Sequence, residues 1–372
     1  MIKRRTTMID SFFVPSFGNR PGFLVGRDDI RKFFAESLKA PIGSRERSLL
    51  LLGQRGLGKT VLLLEYADIA RELGYIVASP TVVKRGMNER ILEKIESESE
   101  NIIKVERKKV SGGSVSALGF AVGIQMQEPK IREKSFAFRL SKICGELNKN
   151  GKGLLILVDE VQANNEDLKE LVIAYQEIVG EGRDIAIAFA GIPMAISALL
   201  NEHVLTFLNR AKKIELSPLN TNEIVAYYGK AFARTGVHIS DNLIQKAAKE
   251  TSGSPYLMQL IGHYIVVFSE GAMTEREFSK AVDAAKADFK EDICQTTLAS
   301  LSSKDIEFLH AIAKQGQEAR ISDIASSLKK DDAYTQTYKR RLIQTGVISQ
   351  PKRGIVKIEI PYLCDYLRET LD

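Results

Sequence analysis

Apolar runs alternate with segments of helical spacing over roughly the first 215 residues. Four apolar runs without polar alternation begin near residues 49, 74, 154 and 185, and helical spacing occupies about 61–72, 88–98 and 168–179. Unbroken apolar runs are typical of strands buried on both faces. Their alternation with helices predicts an α/β fold, a parallel sheet sandwiched between helices.

The pattern changes after Leu219. From there to about Lys290 only helical spacing is found, and the run Thr221–Ile224 resembles a capping box at the start of the first helix. We therefore expect an α/β core over residues 1–215, followed by a helical lid over residues 216–294.

Residues 295–372 show a third pattern. Helices are predicted near 302–312, 321–325 and 332–345, and two strands, 346–349 and 354–360, flank the turn around Gln350–Arg353. Three helices followed by a β-hairpin predict a C-terminal winged-helix domain.

Residues 102–129 interrupt the alternation of the core. An apolar and basic stretch, a Gly-Ser turn and a second apolar stretch predict an inserted β-hairpin, or a strand with a long glycine-containing loop. Arg107, Lys108 and Lys109 could contact a polyanion, but a solvated strand face explains such a charge run equally simply and more often.

The segment from Gly53 to Thr60, G-Q-R-G-L-G-K-T, joins the first apolar run to the first helix. A strand, this glycine-rich loop and a helix form a phosphate-binding P-loop, in which backbone N–H groups and the helix N-terminus hold phosphate. Lys59 would reach the β- and γ-phosphates and Thr60 would bind Mg²⁺. The predicted nucleotide-binding residues of this loop are Gly53, Gln54, Arg55, Gly56, Leu57, Gly58, Lys59, Thr60 and Val61.

Two acids follow the apolar run 154–158. Asp159 and Glu160 would lie at the carboxyl edge of a parallel sheet, where such folds bind ligands. Phosphoryl transfer requires a carboxylate for Mg²⁺ and a group that orients the attacking water. We expect Asp159 to bind the metal with Thr60, and Glu160 to polarise water, so ATP and Mg²⁺ are the predicted cofactors and ATP hydrolysis the predicted reaction.

The composition is that of an ordinary globular protein. The chain has 372 residues, 44% hydrophobic and 27% charged, and its 53 basic and 47 acidic residues give a net charge of +6. Three widely spaced cysteines and four histidines indicate neither a disulfide framework nor a zinc cluster, which predicts a cytoplasmic location. The uncharged stretch Ile185–Leu200 is too short and broken to span a membrane, and no signal peptide is evident.

Three further motifs flank these sites. Residues 23–28 read F-L-V-G-R-D, residues 209–219 contain Asn209 and Arg210 before a Ser-Pro-Leu, and residues 251–257 contain a Gly-Ser-Pro-Tyr. With the P-loop and the paired acids, their order resembles AAA+ P-loop ATPases of the initiator (origin-recognition) type and the related STAND signalling ATPases, over nearly the whole chain.

The resemblance assigns roles to four more residues. It places Gly26 and Arg27 near the adenine, Arg210 where it can face the γ-phosphate, and Pro255 against the base. Each motif also has a simpler explanation: a helix start for Arg27, an ion pair for Arg210, and a helix break for Pro255.

The sequence also departs from that family. The run 185–190 ends in Ala190-Gly191-Ile192, without the polar residue that usually contacts the γ-phosphate, and Tyr256 stands where initiator-type proteins often carry an arginine. These departures favour slow hydrolysis and a nucleotide-gated switch over fast turnover in a ring.

Two kinds of partner remain open. In one, the winged helix binds duplex DNA through its third helix and its wing tip; in the other, a STAND-like regulator uses the same domain to bind protein or to pack against its own core. Residues 295–372 contain 12 basic and 10 acidic residues, a weak electrostatic footprint. A homo-oligomer is a further alternative. The predicted DNA contacts are Thr335, Gln336, Thr337, Lys339, Arg340, Arg341, Lys352 and Arg353.

Overall fold

A computed structural model of the protein describes residues 12–15, 24–109, 135–162, 165–201, 203–269 and 271–370. Its largest sheet is parallel and has five strands in the order β2-β3-β4-β1-β5. The strands are β1 (Ser48–Leu52), β2 (Ile76–Val82), β3 (Leu154–Asp159), β4 (Ile185–Gly191) and β5 (Lys212–Glu215).

Helices cover both faces of this sheet, as predicted. They are α1 (Asp28–Lys39), α2 (Lys59–Glu72), α3 (Met87–Lys109), α4 (Phe136–Lys149), α5 (Glu166–Gly180) and α6 (Pro193–Leu200). Every residue of β3 and β4 is buried. Alternate residues of β3 face opposite sides of the sheet and contribute to two separate hydrophobic cores. Leu155 and Leu157 are in the core with α1 and α2, whereas Leu154 and Ile156 are in the core with α3, α4, α5 and α6.

Two details of the core differ from the sequence prediction. Residues 102–109 continue α3 instead of starting a hairpin, so this part of the prediction is wrong; lysine and glutamate are frequent in the segment and both favour helix. The rest of the predicted insertion, 110–129, lies outside the described residues. The sequence analysis also missed β5, a four-residue edge strand whose side chains alternate between half-buried and exposed.

Four helices follow the sheet, in the region predicted to be the lid. They are α7 (Thr221–Thr235), α8 (Asp241–Glu250), α9 (Pro255–Phe268) and α10 (Glu275–Phe289). The capping box of α7 is formed by Asn220 and Glu223, one residue earlier than predicted from Thr221. Asparagine caps as well as threonine does, and its side chain accepts from the Asn222 N–H at 2.8 Å.

No linker separates these helices from the C-terminal segment. A π-helical turn (Lys290–Gln295) continues α10 directly into α11 (Thr296–Ala299). The predicted domain boundary between residues 294 and 295 therefore falls inside a continuous helical segment.

The C-terminal segment has the winged-helix arrangement predicted from the sequence. Its elements are α12 (Ser303–Gln315), β6 (Glu318–Arg320), α13 (Ile321–Leu328), α14 (Asp332–Thr345), β7 (Ile348–Lys352), β8 (Ile355–Ile358) and α15 (Leu363–Glu369). The strands pair antiparallel in the order β6-β8-β7. One hydrophobic cluster, which includes Phe232, Phe289 and Phe308, runs without a break from the lid helices through this segment.

None of the helices in the described parts of the chain is long and apolar enough to cross a lipid bilayer.

Candidate functional site

A cleft of about 750 Å³ opens at the carboxyl edge of the parallel sheet, between the sheet, the lid helices and the π-helical turn. We refer to it as the nucleotide cleft, because most residues predicted to bind nucleotide line it. Those residues are Arg27, Arg55, Gly56, Leu57, Gly58, Lys59, Thr60, Val61, Asp159, Glu160 and Pro255. Its volume lies in the usual range for small-molecule sites.

The P-loop has the backbone conformation that phosphate binding requires. Gly56 and Gly58 have φ angles of 78° and 81°, in the left-handed region that favours glycine. Gly58 is also the N-cap of α2, so the first N–H groups of this 14-residue helix face the cleft. The loop residues and the helix N-terminus together form an anion-binding concavity.

The Lys59 side chain lies along the P-loop. Its Nζ donates to the carbonyl oxygens of Gly53 at 2.8 Å and Gln54 at 2.7 Å. Burial lowers the pKa of Lys59 to about 8; Asp159 and Glu160 oppose this shift and Arg55 adds to it. Removing a positive charge from water is costly, so an anionic ligand would stabilise the ammonium group in this buried position.

The metal-binding pair predicted from the sequence is in contact. The Thr60 hydroxyl donates to Asp159 Oδ2 at 2.6 Å, and Asp159 Oδ1 accepts from the Glu160 N–H at 2.8 Å. Asp159 is only 4% exposed, whereas Glu160 is exposed at the cleft. A buried carboxylate beside a hydroxyl provides the oxygen ligands that Mg²⁺ prefers, so the residues fit this ion.

Glu160 has a φ of 50°, which is uncommon for a residue with a side chain. Such a conformation at the end of β3 turns the chain out of the sheet. The Glu160 carboxylate is therefore presented to the cleft next to the predicted metal ligands, where a water-orienting group is needed.

The cleft wall supplied by β4 and α6 is apolar. Its lining residues are Gly191, Ile192, Met194, Ala195 and Ala198. The strand tip thus offers no side-chain hydrogen-bond donor, as the sequence indicated. A charge that develops on a phosphate near this wall must be stabilised from another direction.

The lid contacts the P-loop at the start of α9. The Tyr256 N–H donates to the Gly56 carbonyl oxygen at 3.4 Å, and a Cβ built on Gly58 would lie 4.0 Å from Pro255. Pro255 therefore lines the nucleotide cleft, and its contact with the base stays a prediction.

Arg27 fixes the start of the core to the start of the lid. Its Nη2 donates to the Ser217 carbonyl oxygen at 2.6 Å, and burial lowers its pKa while the nearby Glu223 opposes the shift. Gly26 has a φ of 64°, in the left-handed region that favours glycine, and a Cβ there would lie 2.5 Å from Glu223 Oε2. Gly26 lines a neighbouring cleft between α1, α2 and α7, not the nucleotide cleft.

Besides Gly26, three predicted site residues do not line the nucleotide cleft. Gly53 continues the β1 pairing, its N–H donating to the Gly191 carbonyl oxygen at 3.3 Å, and the Gln54 side chain points to the winged helix. Arg210 is exposed just before β5, and Lys212 of that strand pairs near the amino end of β1. Arg210 thus lies at the opposite edge of the sheet from the P-loop and does not reach this chain's own cleft.

The sequence analysis missed the contribution of the π-helical turn. Asp292, Ile293 and Thr296 line the nucleotide cleft, and the Tyr256 hydroxyl donates to Asp292 Oδ2 at 2.5 Å. A π-helical turn inserts an extra residue into a helix and is frequent at functional sites. No sequence signal marks it, since the segment from 275 to 299 contains neither glycine nor proline.

The winged helix is docked on the α/β core. The Gln54 side-chain amide of the P-loop donates to the carbonyl oxygen of Gly346, the residue that caps the end of α14. Helix α14 also packs against α6, the helix whose other residues line the nucleotide cleft. The third helix of the winged domain is therefore in direct contact with the nucleotide-binding machinery.

The structure corrects one member of the predicted DNA-binding set, because Thr335 is fully buried and cannot contact a duplex. Arg341 is about half exposed and pairs with the buried Asp305 at 3.1 Å. The burial comes from packing of α14 inside the winged domain, which helical spacing alone did not reveal. Of the others, Gln336, Thr337, Arg340, Lys352 and Arg353 are exposed and Lys339 is half-buried.

Comparison with known families locates two domains in the chain. The AAA ATPase domain profile matches residues 24–175, and the profile of a domain of unknown function (DUF8462) matches residues 291–367. No curated protein matches the chain. The ATPase match covers the P-loop and both acids and confirms the AAA+ P-loop interpretation.

Solved structures share the fold over nearly the full chain. A Walker-type ATPase of Pyrococcus abyssi is 20% identical, with a TM-score of 0.65, over 94% of this chain and 97% of its own. The ORC2 protein of Aeropyrum pernix, in its ADPNP–ADP complexes, is 16% identical, also with a TM-score of 0.65, over 95% of each chain. At these identities the likeness shows the fold alone, and it confirms the predicted α/β core followed by helical regions.

Proposed function

Since the chain carries an AAA ATPase domain within a fold shared by Walker-type and origin-recognition ATPases, we propose that it binds Mg-ATP, hydrolyses it slowly and acts as a nucleotide-gated switch. The observation that carries this proposal is the position of the P-loop. It bonds to the lid through Gly56 and Tyr256, and to the winged helix through Gln54 and Gly346.

Different residues of the cleft would bind phosphate, bind the metal ion and orient the attacking water. The P-loop N–H groups would hold the phosphates, and Lys59 would leave the loop carbonyls to donate to β- and γ-phosphate oxygens. Thr60 and Asp159 would hold Mg²⁺, which neutralises phosphate charge when bound. Glu160 would orient the attacking water in line with the γ-phosphate.

Slow turnover follows from the apolar wall. Electrostatic stabilisation of the transition state is usually the largest single contribution to catalysis, and removing one such donor costs roughly 10²–10³ in rate. Here β4 and α6 present only Gly191, Ile192 and small or apolar side chains to the cleft. A long-lived nucleotide-bound state suits a switch better than a motor.

Gating would work through the two contacts of the P-loop. Phosphate binding requires Lys59 to exchange its hydrogen bond to the Gln54 carbonyl for bonds to the ligand, while the Gln54 side chain holds the end of α14. Rearrangement of this loop therefore changes both the lid and the winged helix. A ligand that favours one loop arrangement shifts the position of the whole C-terminal segment.

Duplex DNA is our first choice of partner for the winged helix. Arg340 on α14 and the wing-tip residues Lys352 and Arg353 are exposed and positively charged. In the docked arrangement α14 faces α6, so entry of this helix into a major groove would require its release from the core. The nucleotide would control that release.

A second candidate function has its own supporting observation. The packing of α14 on α6 is what a regulatory ATPase of the STAND type would show if its winged helix bound protein, or inhibited the core, instead of binding DNA. The ion pair between the half-exposed Arg341 and the buried Asp305 gives α14 a structural role in the winged domain as well.

The two candidate functions can be distinguished by measuring ATP turnover with and without duplex DNA, at low and moderate salt. DNA stimulation that fades as salt rises, and is lost in Arg340→Ala/Arg353→Ala, supports the DNA-coupled switch. Slow turnover that ignores DNA supports the protein-binding alternative. Arg276→Ala, an exposed arginine on α10, is the matched control. Absence of nucleotide binding by the wild-type protein contradicts both.

A further inference from the structure

Three cationic side chains line the nucleotide cleft among the residues that the structure describes: Arg27, Arg55 and Lys59. Arg27 is buried and already bonded to the Ser217 carbonyl oxygen. Lys59 has the general role of the P-loop lysine. Arg55 is exposed at the cleft, and neither the anchoring contact of Arg27 nor the general role of Lys59 applies to it.

The backbone on both sides of Arg55 is fixed. On one side, the Gln54 side chain donates to the Gly346 carbonyl oxygen of the winged helix. On the other, the Gly56 carbonyl oxygen accepts from the Tyr256 N–H of the lid. The Arg55 guanidinium thus extends into the cleft from an anchored position, which lowers the entropy lost when it binds a ligand.

The apolar wall of the cleft offers no hydrogen-bond donor to the additional phosphate of ATP, and Arg55 can supply such donors. An ATP molecule carries more negative charge than ADP, and the wall formed by Gly191, Ile192 and Met194 has no donor for it. A guanidinium offers five N–H donors in a planar fork that matches phosphate oxygens and stays charged at any physiological pH. Arg55 stands on the loop that cradles the phosphates.

We propose that Arg55 is the γ-phosphate-binding residue of this protein, supplied by the P-loop itself, and that it is what distinguishes ATP from ADP. The inference rests on the proposed function, because it assumes that the cleft binds Mg-ATP. It assigns to one exposed arginine the role that neither the tip of β4 nor Tyr256 can fill. Gln54 bonds to the winged helix and Gly56 bonds to the lid. A γ-phosphate bound to Arg55, which lies between them, would therefore affect both elements.

The test compares affinities for Mg²⁺ complexes of ADP and a non-hydrolysable ATP analogue by calorimetry. In Arg55→Ala we expect the dissociation constant of the analogue to rise about tenfold to a hundredfold, as for loss of a charge-assisted hydrogen bond. That of ADP should change less than about twofold. Arg55→Lys should recover part of the analogue affinity, since it keeps the charge without the fork, and Arg276→Ala should match wild type.

The alternatives give different results. Equal weakening for both nucleotides would make Arg55 a structural part of the loop, and no weakening for either would leave it a solvent-facing residue; each overturns the inference. Wild-type protein that binds neither nucleotide would instead overturn the proposed function, before any variant is compared. The ratio of the two affinities therefore tests Arg55 separately from the ATPase assignment.

Discussion

At the scale of single residues, Lys59 is the first to test. Its ammonium group donates to two carbonyl oxygens of its own loop, and these bonds are available for exchange with phosphate oxygens. We expect Lys59→Ala to lose binding of both ATP and ADP by at least about a hundredfold, because the β-phosphate is common to both ligands. Fluorescent-nucleotide titration measures this, with exposed Lys249→Ala as control. Tight ATP retention would contradict the P-loop assignment.

Glu160 should affect turnover without affecting binding. Its carboxylate is exposed in the cleft beside Asp159 but makes no contact that holds the loop together, apart from its backbone N–H. In Glu160→Gln, we expect ATP affinity within about threefold of wild type and hydrolysis reduced by about 10² or more, the usual contribution of a positioned base. Single-turnover measurements with radiolabelled ATP provide both values. Unchanged turnover would remove Glu160 from the water-orienting role.

Some of these residues could be predicted from sequence and others could not. The P-loop and the paired acids are local motifs in which neighbouring residues build one site, so Lys59, Thr60 and Asp159 are found where expected. Arg210 was assigned by resemblance to a family segment that joins two domains. The edge of the sheet at which Arg210 lies is set by the strand order, which local motifs do not reveal. Thr335 was assigned by helical position, and its burial depends on which face of α14 packs inward.

At the scale of elements, the contact between the P-loop and α14 is the one that a substitution can isolate. Gln54→Ala removes the bond to the Gly346 carbonyl oxygen but leaves the loop backbone intact. The loss of one hydrogen bond is worth about 1 kcal/mol, so amide exchange near the end of α14 should accelerate about fivefold.

Hydrogen-exchange mass spectrometry measures this effect in the full-length protein. Gln344→Ala, an exposed glutamine on the same helix, is the control and should leave exchange unchanged. Equal exchange in the Gln54 variant and wild type would show that α14 is held by its packing on α6 alone.

The elements that the sequence did not predict are those without a local signal. Strand β5 has four residues and pairs at the edge of the sheet, too short for a periodic pattern to be evident. The π-helical turn has ordinary helix-forming residues, and the extra residue is accommodated by contacts with Tyr256 and the cleft. By contrast, two of the three helices of the winged domain begin at side-chain caps, Ser302 and Asp331, and the positions of all three helices were predicted correctly.

At the scale of the whole molecule, the lid and the winged helix share one hydrophobic core. Phe308 of α12 and Phe289 of α10 are both buried in it, with 0% and 1% of their surface exposed. Burying both in one continuous cluster should make the two segments unfold together.

Phe308→Ala tests this coupling. Removing a buried phenylalanine side chain should lower the free energy of unfolding by about 3–5 kcal/mol. Amides of α9 and α10 should lose protection together with those of α12 and α14, as followed by hydrogen exchange at increasing urea. The control is Phe138→Ala on α4, whose side chain is 51% exposed. Loss of protection confined to the C-terminal segment would show that the winged helix is an independent unit.

The continuous helix through α10, the π-helical turn and α11 has a mechanical consequence. It comprises residues 275–299, about 37 Å at the helical rise, and it passes the cleft near its C-terminal end without any hinge of glycine or proline. A stiff rod pivoted close to one end converts a tilt of about 10° into a displacement of about 6 Å at the other. In the proposed switch, this helix would carry a movement at the cleft to the start of α10, and one or two glycines inserted beside residue 290 should interrupt that transmission.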